Sequence, residues 1–124
     1  MESIGLVIVS HSKHIAEGVV ELISKVAKDV PITYVGGTEG GGIGTSFDQV
    51  DRVVSENPAD TLLAFFDLGS AKMNLKMVTD FSDKSIIINR VPIVEGAYNA
   101  AALLQAGAEL SVIQTQLAEF EINK

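Results

Sequence analysis

Ile4 to Val9 reads I-G-L-V-I-V, a short apolar run rich in β-branched residues, and it stops at Ser10-His11-Ser12. Such a run, closed by small polar residues, is the pattern of a strand buried on both faces. A helical period follows at once: Ile15, Val19, Leu22, Ile23 and Val26 fall on one face at spacings of three, four and seven. A buried strand feeding directly into a helix leaves few choices of architecture. It is the first half of a β-α-β unit, whose sheet is parallel and covered on both sides.

The rest of the chain repeats this alternation. Ile32–Val35 is a second apolar run behind Pro31, followed by the glycine-rich segment Gly36–Gly44. Ser46 is placed to cap a helix over Phe47–Glu56 with Val50, Val53 and Val54 inward, and Asn57-Pro58 ends it. Thr61–Phe66 is the third strand, closed by Asp67-Leu68-Gly69-Ser70. Met73, Met77 and Phe81, stacked at spacings of four beside Leu75 and Val78, predict a third helix. Ser85–Ile88 is the fourth strand. A helix over Val94–Ala106, rich in alanine and ended by Gly107, and a last one carrying Leu110, Ile113, Leu117 and Phe120 complete the pattern. The expected fold is one α/β domain over residues 1–124. Its sheet is open, doubly wound and mainly parallel, with about four strands in the order 2-1-3-4 and helices on both faces.

That order puts the crevice for ligands between the carboxyl ends of strands 1 and 3. Strand 1 ends at His11 and strand 3 at Asp67. A carboxylate that accepts from one imidazole nitrogen fixes the tautomer and leaves the other nitrogen free to attack. Asp67 also suits a plain helix cap, and Asn at 67 would then be expected to keep the fold. His14 falls near the start of the first helix, at the rim of the crevice. Thr45, Ser46, Gly69 and Ser70 bring hydroxyls and helix N-termini to the same region, which suits an anion. Lys72 is the nearest candidate cation, with Lys13 next to the histidine segment but aimed elsewhere. The Gly36–Gly44 loop either cradles phosphate through its N–H groups or is simply flexible. It has no G-x-G-x-x-G register and no Gly-Lys-Ser/Thr, so neither a dinucleotide fingerprint nor a P-loop is present. There is no G-x-S-x-G elbow for a serine hydrolase and no carboxylate pair for glycoside hydrolysis. The set fits a phosphoryl group held briefly on a histidine.

Composition narrows the partners. The net charge of −7 argues against nucleic acid and suits a basic partner. The absence of cysteine and the presence of two histidines argue against a metal centre. No apolar run approaches the ~20 residues of a membrane span. Glu2 stands where a signal peptide is basic, so a cytoplasmic location is expected.

Four motifs carry a resemblance to a known family. They are G-L-V-I-V-S-H-S at Gly5–Ser12, Gly-Thr-Ser at Gly44–Ser46, D-L-G-S-A-K-M-N at Asp67–Asn74 and P-I-V-E-G-A at Pro92–Ala97. Together they resemble the phosphotransferase subunit of the bacterial dihydroxyacetone kinase that uses phosphoenolpyruvate, which shares the fold of the mannose-type enzyme IIA. The sugar-specific enzymes carry a glycine after the histidine and a double glycine after the aspartate; this chain has Ser12 and the single Gly69. The resemblance implies that His11 accepts a phosphoryl group from the phosphocarrier protein HPr. The group then passes to ADP on a second, nucleotide-binding subunit, which phosphorylates dihydroxyacetone on a third. It implies a homodimer with no cofactor of its own, ADP and magnesium belonging to the partner, and a donor that is a separate protein. A sugar-specific mannose-type component is the alternative, and a flavodoxin-like binding module a more distant one. The latter would need a hydroxyl-rich loop after strand 1 and aromatic cover, where this chain has S-H-S-K-H, two Tyr and no Trp.

Overall fold

A computed structural model describes residues 3–124. Glu2, the residue that speaks against a signal peptide, lies outside the described residues. Four strands, β1 (Ile4–Ser10), β2 (Ile32–Gly36), β3 (Thr61–Phe66) and β4 (Ser85–Asn89), form one parallel sheet in the order β2-β1-β3-β4. Helices α1 (Lys13–Ser24), α2 (Phe47–Glu56), α3 (Gly69–Phe81), α4 (Ile93–Gln105) and α5 (Leu110–Ala118) alternate with them and then follow β4. The doubly wound sheet expected from the alternation is the one found. β1 pairs with β2 in the register Val9↔Val35 and with β3 in the register Val9↔Phe66.

The pleat divides the apolar residues between two cores, because successive side chains point to opposite faces. Leu6, Ile8, Leu63 and Phe65 meet Val19 and Ile23 of α1, Ala97, Ala100 and Ala101 of α4, and Ile113 and Leu117 of α5. Val7, Val9, Leu62, Ala64 and Phe66 meet Val50, Val53 and Val54 of α2 and Ala71, Leu75 and Val78 of α3. Each fully buried Leu, Ile or Phe contributes roughly 1.5–3 kcal/mol, so these two central strands anchor the fold. Their carboxyl ends, and with them His11 and Asp67, are thereby held in fixed positions.

Two helices present a different face from the one their apolar spacing predicts. In α1 the buried residues are Ala16, Val19 and Ile23, while Ile15 and Leu22 are about half exposed. In α3 Ala71, Leu75 and Val78 are buried, and Met73, Met77 and Phe81 face outward, Phe81 meeting Phe47 edge to face at 6.2 Å between ring centroids. Small residues decide both cases. Ala16 and Ala71 let the helix axis approach the sheet, and the long side chains are left at the margin.

α1 approaches β2 most closely at Gly36. A Cβ there would collide with the Ser12 carbonyl oxygen and would lie 2.7 Å from the Lys13 Cα and 2.8 Å from the Ala16 Cβ. The next residue, Gly37, adopts φ +76° and donates its N–H to the Ser10 carbonyl at 3.1 Å, a conformation that favours glycine. Gly36→Ala therefore pushes backbone against backbone beside the His11 segment. A destabilisation of about 1–3 kcal/mol is expected, read as a lower urea midpoint. An unchanged midpoint would mean that α1 moves away freely.

Candidate active site

The ends of β1 and β3 and the starts of α1 and α3 converge around His11. β1 ends at Ser10 because Ser12 opens α1, its hydroxyl accepting from the Ile15 N–H at 3.4 Å. β3 ends at Phe66, and Asp67 and Leu68 join the strand to α3. Asp67 and His11, 56 residues apart, meet directly: the His11 Nδ1 lies 2.8 Å from the Asp67 Oδ1.

The carboxylate is saturated with donors. Oδ2 accepts from the Ser10 hydroxyl at 2.7 Å and from the His11 backbone N–H at 2.9 Å. Oδ1 accepts from the Leu68 N–H at 2.8 Å in addition to the imidazole. Burial pushes the Asp67 pKa up, but the bonds from His11, Ser10 and the two backbone N–H groups outweigh it and hold the carboxyl below its ordinary value. An ionised carboxylate accepts only, so the His11 Nδ1 is the protonated nitrogen. In the neutral ring Nε2 then carries the lone pair, and it faces the Ser70 hydroxyl, which donates to it. Both side chains of the pair are 13% exposed, enough for a partner to reach Nε2.

Asp67 is not the cap of α3. Leu68 holds the N-cap position and makes no side-chain bond to the helix. The carboxylate that could have capped it is turned toward β1. The first N–H groups of α3, at Gly69 and Ser70, are thus left without a side-chain cap next to Nε2.

The segment Gly44–Ser46 comes to the same place through its backbone, as the Gly44 N–H donates to the His11 carbonyl at 2.9 Å. The Thr45 hydroxyl accepts from the Asn74 side-chain amide of α3 at 2.7 Å, which leaves the Thr45 proton to donate. Ser46 is committed to α2: its hydroxyl donates to the Gln49 side chain at 3.0 Å and accepts from the Gln49 N–H at 3.3 Å. The glycine loop is not an open anion cradle. Its N–H groups at Gly37, Thr38, Gly41, Gly42 and Gly44 bond to Ser10, Gly42, Thr38, the Thr38 hydroxyl and His11. The loop is tied to itself and to the histidine segment.

His14 lies apart from this cluster, its side chain 94% exposed and its nearest partner Glu17 at 4.0 Å along α1. Lys72, the expected cation, donates instead to the backbone oxygen of Lys124 at 2.7 Å. Two contributors escape the sequence reading. Ser10 is 1% exposed and shares the face of Leu6 and Ile8, so alternation alone could have flagged it as a polar residue inside a core strand. Asn74, which holds Thr45, sits one turn into α3 among outward-facing residues and gives no such signal.

A family model described as the PTS system fructose IIA component matches residues 5–114. The PTS-dependent dihydroxyacetone kinase phosphotransferase subunit DhaM of Lactococcus lactis is 54% identical over 120 residues, covering 97% of this chain and 98% of that protein. The chain belongs to the DhaM family of IIA-type phosphotransferase subunits. Within the DhaM family, the phosphoryl donor subunit of PEP-dependent dihydroxyacetone kinase 1 from Listeria innocua is 50% identical, covering 95% of each chain. Among solved structures, a protein of unknown function, EF1359, superposes with a TM-score of 0.84 at 26% identity, over 98% of this chain and 97% of its own. A sigma-54 interaction domain protein from Enterococcus faecalis, at 11% identity and a TM-score of 0.73, shares the fold. Among the described residues of this DhaM family member, no helix is long and apolar enough to cross a membrane.

Proposed function

We propose that this chain is the cytoplasmic phosphoryl carrier of a phosphoenolpyruvate-dependent dihydroxyacetone kinase, with His11 as the phosphorylated residue. The observation that carries the reading is the placement of His11, with Nδ1 bonded to an ionised carboxylate and Nε2 at a crevice rim against the Ser70 hydroxyl alone. The names of the relatives at 54% and 50% identity supply the pathway.

The chemistry follows from the two nitrogens. In uptake, the Nε2 lone pair attacks phosphorus as the P–N bond to the histidine of phospho-HPr breaks, and the HPr imidazole leaves with that electron pair. Nδ1 keeps its proton throughout, because Asp67 holds it there. The ring gains imidazolium character, which the carboxylate stabilises. The Ser70 hydroxyl, which donates to Nε2 beforehand, turns its proton to a phosphoryl oxygen. The Gly69 and Ser70 N–H groups and the Thr45 hydroxyl provide further neutral donors, with Ser46 fixing Thr45 by capping α2. In delivery, a terminal phosphate oxygen of ADP on the nucleotide-binding subunit attacks phosphorus, and Nε2 departs with its electron pair. Positive charge for the nucleotide would come from the partner, with magnesium, and this chain works without a cofactor of its own. A homodimer is proposed from the resemblance.

The test is reconstitution. Phosphoenolpyruvate, the general phosphotransferase enzyme, HPr and the two other kinase subunits should form dihydroxyacetone phosphate only when this chain is added. ATP with magnesium alone should leave the chain unphosphorylated. Transfer to a sugar and none to ADP would favour the sugar-specific alternative.

A further inference from the structure

After α5 the chain returns across the carboxyl ends of the strands. The Ile122 N–H donates to the Arg90 carbonyl, just beyond β4, at 2.8 Å, and Arg90 pairs with Glu121 at 2.9 Å. Two residues on, at the end of β3, the Lys124 ammonium donates to the Phe66 carbonyl at 2.6 Å and lies 4.4 Å over the centre of the Phe66 ring. Lys72 of α3 holds the Lys124 backbone oxygen from the other side. A half-buried ammonium is thus delivered to the peptide that joins Phe66 to Asp67.

We propose that Lys124 is a positioning residue of the phosphoryl site, its ammonium set at the Phe66–Asp67 peptide so that its charge favours the phosphorylated state of His11. The inference rests on the carrier reading for its consequence, not for its geometry. Loading His11 converts a neutral ring into one bearing a dianionic phosphoryl group and an imidazolium, a change of one negative charge. A fixed cation near the pair favours that change, and its interaction is strengthened where water is partly excluded. Burial lowers the Lys124 pKa, and the charge of Asp67 acts in the opposite direction. The charge is therefore kept in a place where it is costly, against the one carboxylate that orients the histidine. The two lysines nearer in sequence to the site are engaged elsewhere: Lys72 is occupied by the tail itself, and Lys13 lines a separate groove with Tyr34 and Arg52.

The test compares Lys124→Met, which keeps the apolar stem, with Lys124→Arg, which keeps the charge, each checked for an unchanged melting temperature. With phospho-HPr, the loading equilibrium of Lys124→Met should fall about three- to tenfold, the scale of one partly screened charge, while Lys124→Arg recovers most of it. Without any phosphate, the ring 15N shifts of His11 should move in Lys124→Met and not in Lys124→Arg. Unmoved shifts with normal loading in Lys124→Met would overturn the proposal. Equal loss of loading in both variants with unmoved shifts would show a mechanical tether and overturn it as well. If the wild type takes up no phosphate the carrier reading fails, yet the shifts still decide: movement in Lys124→Met alone sustains the coupling, and none refutes it.

Discussion

His11→Ala will take up no phosphate from phospho-HPr, and His14→Ala will be phosphorylated at close to the wild-type extent. Both residues are histidines near the start of α1, so composition does not separate them. Geometry does. Nucleophilic transfer needs an attacking nitrogen with a free lone pair, and a second nitrogen whose proton is held so that the tautomer is fixed. His11 has both, with Nδ1 at 2.8 Å from Asp67 and Nε2 at the Ser70 hydroxyl. His14 is 94% exposed and has only Glu17 at 4.0 Å. At that distance no carboxylate is within hydrogen-bonding range to fix its tautomer. The His11 segment is also fixed through its backbone, by the bond to Asp67 Oδ2 and the bond from Gly44. The loss in His11→Ala should be complete, since no other imidazole reaches the crevice, and intact mass reads it directly. The weaker partner binding that a rim residue can cause would show in His14→Ala as a raised KM for phospho-HPr with kcat kept.

Asp67→Asn will both slow transfer and destabilise the fold. Sequence reasoning expects Asn to be harmless to the fold, as an alternative helix cap. The structure overturns that expectation, because Asp67 caps nothing and each of its oxygens accepts from a backbone N–H, His11 on one side and Leu68 on the other. Whichever way the amide is turned, its NH2 faces a backbone donor that cannot rotate away. A donor left without an acceptor costs about 1–3 kcal/mol when buried, so the cost is larger with the NH2 at the part-buried His11 N–H than at the exposed Leu68 N–H. Transfer should slow by roughly ten- to a hundredfold, the value of about 1.5–3 kcal/mol for a lost charge-assisted bond. The pH dependence carries a sign. The Asp67 pKa is held below its ordinary value of 3.8. Its ionised form therefore adds stability that is present in full above that value and is lost as pH falls through the lowered one. Urea midpoints measured from neutral pH down to about pH 3 should fall more steeply for the wild type than for Asp67→Asn. Parallel curves with a wild-type transfer rate would remove Asp67 from the mechanism.

The sheet order and the meeting of residues 11 and 67 were legible because they follow from few facts: apolar runs of strand length, helical periods between them and the handedness of crossovers. The helix faces were less legible. Spacing alone ranks Ile15 and Leu22 with Val19 and Ile23, and it stacks Met73, Met77 and Phe81. What decides between faces is how closely a helix can approach the sheet, and there the small residues Ala16, Gly36 and Ala71 count for more than large apolar ones. The polar residues around the site divide the same way. Ser70 could be placed because it lies in the first turn of the helix that follows β3. Ser46 was legible as the cap of α2, whereas the roles of Asn74 and Lys124 depend on tertiary contacts 29 and 58 residues apart, and no local pattern announces them. For the glycine loop the sequence leaves an anion cradle and a flexible loop both open; bonded to Ser10, Gly42, Thr38 and His11, the N–H groups at Gly37, Thr38, Gly41, Gly42 and Gly44 buttress the histidine instead.

The central claim is that one phosphoryl group resides on Nε2 of His11. The most direct measurement is to charge the wild-type chain with phosphoenolpyruvate, the general phosphotransferase enzyme and HPr, and to read it at neutral to basic pH, where phosphohistidine survives. Intact mass gives the stoichiometry, peptide mapping gives the residue, and 15N–31P coupling gives the nitrogen. The expected result is a single phosphate, on the peptide containing His11, coupled to Nε2 with Nδ1 still protonated. Phosphate on His14, or on Nδ1 of His11, or none at all, would contradict it.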